Sequence, residues 1–137
     1  MIENIGGIIV YVSDRDIALE LYKEKFGFEV RSNLEFQGGR SIEVAPRNSV
    51  TTISLIVPSR ESMSEEWYNW TKERIGKETG IWFYTDNIQT SYDELKEKAV
   101  VISQPEKQAW GGIMSIVKDQ DGNKFALISS SVFFDLF

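Results

Sequence analysis

One arrangement of residues occurs twice in this chain, and it restricts the fold more than any other feature. Residues 5–13, Ile-Gly-Gly-Ile-Ile-Val-Tyr-Val-Ser, are β-branched and aromatic, as a buried strand requires. Asp14 follows at a helix N-cap position, and Asp16 places a second carboxylate at the positive end of that helix. Ile17, Leu21 and Tyr22 fall on one helical face with Ala18 and Phe26 beside them, and Gly27 is the expected stop. Strands are expected at about 28–36, 41–46 and 50–57, separated by turns at 37–40 and 46–49. The pattern then begins again. Gly80-Ile81-Trp82-Phe83-Tyr84-Thr85 reads as a strand, Asp86 stands where Asp14 stood, and Ile88, Tyr92, Leu95 and Ala99 run down a second helix. Strands at about 100–104, 112–118 and 123–129 complete it, the last two joined by the turn Asp119-Gln120-Asp121-Gly122-Asn123. Val12-Ser13-Asp14 thus matches Tyr84-Thr85-Asp86, and Tyr22-Lys23-Glu24-Lys25 matches Leu95-Lys96-Glu97-Lys98.

The fold class this predicts is α+β, with two βαβββ modules forming a cupped mixed sheet. The first module spans 1–58 and the second 80–130. The linker between them, 59–79, carries Met63, Trp67, Trp70 and Arg74 at the spacing of an amphipathic helix. Such a helix would cover the cup, contact a second subunit, or pack on its own domain. An apolar tail, 131–137, follows the last strand, and its Phe133, Phe134, Leu136 and Phe137 suit burial on the protein's own surface or, the favoured reading, in a subunit interface.

Composition narrows the chemistry. The 137 residues include no cysteine and no histidine. That removes disulfides, thiolate nucleophiles, cysteine zinc sites and serine–histidine triads. The net charge of −6 is scattered rather than clustered, which argues against nucleic acid; it serves solubility first and, toward a ligand, favours a cationic over an anionic one. No apolar run reaches a membrane span, and the N-terminal residues lack a signal-peptide layout, so a cytoplasmic protein is expected.

The segments Val12-Ser13-Asp14-Arg15-Asp16-Ile17-Ala18-Leu19-Glu20-Leu21-Tyr22 and Phe26-Gly27-Phe28 resemble the first-module signature of the vicinal oxygen chelate superfamily. Pro105-Glu106, Trp110-Gly111-Gly112 and the 119–123 turn resemble its second-module signature. That superfamily includes glyoxalase I, extradiol dioxygenases, fosfomycin-resistance enzymes and bleomycin-binding proteins. Its metal-dependent members hold one divalent ion with four side chains. The resemblance places those positions at Gly7, Ser54, Gly80 and Ala126, none of which offers a transition metal a useful ligand. No metal and no cofactor is therefore expected.

With Gly7 and Gly80 facing the cup, strand alternation sorts the rest. Ile9 and Tyr11 join Gly7, Thr52 and Ile56 join Ser54, Trp82 and Tyr84 join Gly80, and Lys124 and Ile128 join Ala126. Trp110 is expected at the rim. The ligand-binding set read from the sequence is Tyr11, Thr52, Ser54, Trp82, Tyr84, Trp110 and Lys124. Such a surface suits an apolar or aromatic guest, including one with a cationic part over a ring. The leading expectation is a metal-independent small-molecule-binding protein, similar to the bleomycin-resistance branch and homodimeric like it. Two alternatives stand beside it. One is a metal-independent enzyme of lyase or isomerase type, using Glu29, Glu35 or Glu43 as base. The other is a structural or partner-binding domain whose cup is filled by side chains.

Overall fold

A computed structural model describes residues 1–37 and 39–129, and it divides into one unit of Met1–Gly76 and a second that begins at Lys77. The apolar segment 131–137 lies outside the described residues. In the first unit, β1 (Ile8–Tyr11) is followed by α1 (Arg15–Glu20), which continues as a π turn through Leu21–Lys25. Strands β2 (Glu29–Phe36), β3 (Gly39–Ala45) and β4 (Ile53–Ile56) follow, and then α2 (Glu65–Glu73). The sheet order is β1-β4-β3-β2, with β1 parallel to β4 and the other pairs antiparallel.

The second unit repeats this plan. β5 (Glu78–Thr85), α3 (Ile88–Glu97), β6 (Val101–Ile102), β7 (Glu106–Lys107), β8 (Ile113–Lys118) and β9 (Lys124–Ser129) follow in sequence. The order is β5-β9-β8-β6, with β5 parallel to β9. In each unit the first strand therefore pairs in parallel with the last. The short β7, which alternation does not announce, pairs with β8 beside β6.

Each sheet buries one face under its helix. In the first unit Val10, Val12, Ile42, Val44, Ile53 and Leu55 are buried with Ala18, Leu21 and Tyr22 of the helix. Tyr22 meets Phe26 edge-on at 5.1 Å between ring centroids and Phe28 at 6.0 Å, so one tyrosine anchors the whole helix end. In the second unit Val117, Phe125 and Leu127 are buried with Ile88 and Tyr92 of α3. Each large apolar side chain so removed from water contributes about 1.5–3 kcal/mol.

Several local expectations shift. The strand expected over 5–13 narrows to β1, and the one over 50–57 narrows to β4. Ser49 Oγ donates to the Thr51 carbonyl at 2.8 Å and holds the intervening backbone in a loop. Asp14 caps α1, its Oδ1 accepting from Ile17 N at 3.0 Å. Asp86 does not play that part in α3. Asn87 caps it, accepting from Thr90 N at 3.0 Å, because Thr85 Oγ1 already accepts from Asn87 N and holds the chain extended for one residue more. Ile17 leaves the buried face and is 54% exposed, since Ala18, Leu21 and Tyr22 define the stripe that meets the sheet. Ala99 does not continue α3: it sits beyond the C-cap at φ 63, and its N–H bonds to the Lys96 carbonyl.

Candidate functional site

The unburied face of each sheet is where side chains remain available. In the first unit Ile9 stands opposite Ser54, which stands opposite Glu43, and Tyr11 stands opposite Ile56. These residues alternate with the buried Val10, Leu55, Ile42 and Val44, so all point away from α1. Thr52 joins them from the residue before β4, its Oγ1 donating to Glu43 Oε1 at 3.2 Å. Tyr11, Thr52 and Ser54 thus fall on one surface. Of the three strand glutamates, Glu43 lies on that surface, whereas Glu35 pairs across from Arg40 on the helix-bearing side.

Helix α2 reaches the same surface. Trp70 meets Tyr11 edge-on at 6.2 Å, Trp67 stacks on Trp70 at 4.9 Å and 10°, and the Arg74 guanidinium lies 3.9 Å over the Trp70 ring. Ser64 starts this helix by accepting from Trp67 N at 3.2 Å, which fixes where the tryptophans emerge. Burial raises the Tyr11 phenol above its ordinary pKa, and the Arg74 charge offsets part of that rise. The phenol is therefore a neutral hydrogen-bonding group well into alkaline solution. The helical spacing of Met63, Trp67, Trp70 and Arg74 signals the helix, but nothing in the sequence ties Trp70 to Tyr11.

In the second unit Trp82 pairs with Ala126 and Tyr84 with Ile128, and both strands turn Phe83, Phe125 and Leu127 to the opposite side. Trp82 is 55% exposed and Tyr84 48% exposed. Lys124 lies at the far end of this surface, across from Lys118. Trp110 occupies the turn between β7 and β8, with its ring folded against Gly112. A Cβ on that glycine would overlap the indole, so the absence of a side chain there is what lets the ring lie down. Trp82, Tyr84 and Lys124 therefore share a face, and Trp110 is pinned to its own loop.

The four positions that would hold a metal do not fit one. Ser54 lies between Ile9 and Glu43, Ala126 between Trp82 and Ile116, and Gly7 and Gly80 have no side chains. Among the described residues no three His, Cys, Asp or Glu side chains converge. A transition metal requires imidazole, thiolate or carboxylate donors. Arg15 and Arg40 line a cavity in the first unit; Arg15 stands within the quoted motif, but nothing in the sequence assigns either residue to a site.

A duplicated βαβββ module, with a helix packed on one face of each sheet, defines the class of fold. The chain belongs to the Glyoxalase/Bleomycin resistance protein/Dioxygenase superfamily, whose family model matches residues 4–127. Uncharacterized protein YetH of Bacillus subtilis (strain 168) is 29% identical over 129 residues, 93% of this chain and 98% of that protein. TnmS3, an antibiotic binding protein from Streptomyces sp. CB03234, is similar in structure, with TM-score 0.77 and 25% identity over 93% of this chain and 96% of its own. A member of the same superfamily from Sphaerobacter thermophilus DSM 20745 has TM-score 0.77 and 30% identity, over 93% of this chain and 98% of its own. Among the described residues no helix is long and apolar enough to cross a membrane.

Proposed function

We propose that this protein binds a small apolar or aromatic molecule, a cationic one included, on the sheet faces turned away from α1 and α3, and that it does so without a metal. The observation that carries this reading is the exposure of Trp82 and Tyr84 on a strand whose opposite side is packed. Two adjacent rings left half in water form a surface that a planar guest would cover, and their π faces attract positive charge. The likeness to TnmS3, described as an antibiotic binding protein, supports ligand binding as the role. A homodimer and a cytoplasmic location complete the proposal.

A screen of planar aromatic compounds should yield one that quenches tryptophan fluorescence and raises Tm, because a ligand that binds only the folded state stabilises it. Trp82→Ala should weaken that ligand by about 1–3 kcal/mol, the value of a large ring's burial and stacking. An unchanged affinity in this variant would remove Trp82 from the site.

Metal independence has its own check. Protein purified without chelator should contain no stoichiometric nickel, zinc or manganese, and adding each should leave Tm unchanged. One tightly bound equivalent would overturn this part of the reading.

A further inference from the structure

At one end of the first sheet, a cavity of about 500 Å³ opens where α1 begins, β3 starts and the chain leaves β4. That is the size range of sites for small organic ligands. Its polar lining includes Arg15, Arg40 and Ser41, and its apolar lining includes Phe36, Ile56 and Met63. Two guanidinium groups on one cavity run against a chain whose net charge is −6. Glu61 is the one acidic side chain on the wall, and it is exposed.

The two arginines differ in how they are used. Arg40 is held in place: its Nε donates to Asn33 Oδ1 at 2.8 Å and its Nη1 to Asp16 Oδ1 at 3.1 Å. Arg15 makes no ion pair with any described residue, and its Nε is buried with no hydrogen-bond partner. A buried N–H donor left unmade costs about 1–3 kcal/mol. The rest of the Arg15 guanidinium makes no hydrogen bond to any described residue, and a planar carboxylate in the cavity would offer it two acceptors in one plane.

We infer that this cavity is a binding site for a small organic carboxylate with an apolar body, its carboxylate taken by Arg15 with Arg40 beside it and its body lying against Phe36, Ile56 and Met63. The inference extends the small-molecule reading above and reverses the sign of charge that the overall composition favours. It uses Arg15 rather than Trp82, so the two can fail separately.

The test compares 2-naphthoate with 2-naphthamide, which keeps the ring and shape but removes the charge. Calorimetric titration of the full chain should show the acid binding at least tenfold more tightly than the amide, with the gap shrinking as salt is raised. Arg15→Met, which keeps the apolar stem, should reduce naphthoate affinity at least tenfold and leave naphthamide affinity where it was. Arg15→Lys should recover only part of the loss, because a point charge replaces the planar fork. Equal affinities for acid and amide in the unaltered protein would overturn the inference without any variant being made, while leaving aromatic binding at Trp82 standing. Failure of both compounds to bind overturns it as well, and so does an Arg15→Met protein that folds and binds naphthoate undiminished.

Discussion

Replacing Phe125 with alanine is expected to destabilise the protein by about 3–5 kcal/mol, the range for deleting a large ring from a packed core. Phe125 has no solvent exposure, and its ring stacks on Phe83 at 5.0 Å and 24°. It pairs across from Val117 on the strand β8, itself buried, so the space it vacates is walled by β-structure that cannot easily collapse inward. Domains of this size are stable by roughly 5–15 kcal/mol, and the variant would forfeit a large share of that. Phe125→Leu keeps most of the volume and should lose about 1.5 kcal/mol or less. Urea denaturation followed by tryptophan fluorescence measures both. An alanine variant within 1 kcal/mol of the parent would mean that the second unit's core lies elsewhere.

Asp119→Ala is the second large effect. Asp119 Oδ1 accepts from the backbone N–H groups of Asp121 at 2.9 Å and Asn123 at 3.0 Å, and its Oδ2 accepts from Asn123 Nδ2 at 2.8 Å. Asn123 is 1% exposed, so water cannot replace the lost oxygens at its backbone N–H or its amide. Each buried donor deprived of its Asp119 acceptor costs about 1–3 kcal/mol, giving about 2–6 kcal/mol for the two. Asp119→Asn retains one acceptor and should fall between the parent and the alanine variant. Hydrogen exchange should locate the damage in the β8–β9 hairpin, leaving amides of the first unit protected as before. Uniform loss of protection across both units would show instead that they unfold as one.

The duplicated strand–helix pattern and the face on which each strand residue lies are legible in the sequence because both follow from short-range periodicity. Ile9, Tyr11 and Ser54 alternate with buried Val10, Ile53 and Leu55, and a period of two leaves no other arrangement. Boundaries are less legible. Asp86 and Asn87 are both competent caps, and the choice falls to Thr85, whose hydroxyl bonds to Asn87 at both its N–H and its carbonyl. The two-residue β7 is too short to show any period. The arginine cavity is the least legible feature. It joins residues from three separate stretches of chain, and residues 57–62, which line one side of it, have no periodic signal. Arg15 stands inside the motif that marks the family, where its neighbours draw the notice.

Gly80 has a consequence for what can stand at its position. Between the pairs Glu78–Lys124 and Trp82–Ala126 the strand β5 uses more residues than β9, and the surplus is taken up at Gly80, with φ +74. Side chains have adapted to that detour: Thr79 Oγ1 donates to the Lys124 carbonyl at 2.7 Å and accepts from Ile81 N at 3.1 Å. A histidine or glutamate at this position would enter a left-handed backbone at a cost of about 1–2 kcal/mol, with its Cβ directed by that conformation and not by a regular strand. A donor side chain introduced there would thus carry strain with it. The bend ties position 80 to a residue that tolerates positive φ, and a longer side chain there would leave the strand at an angle no regular β residue has.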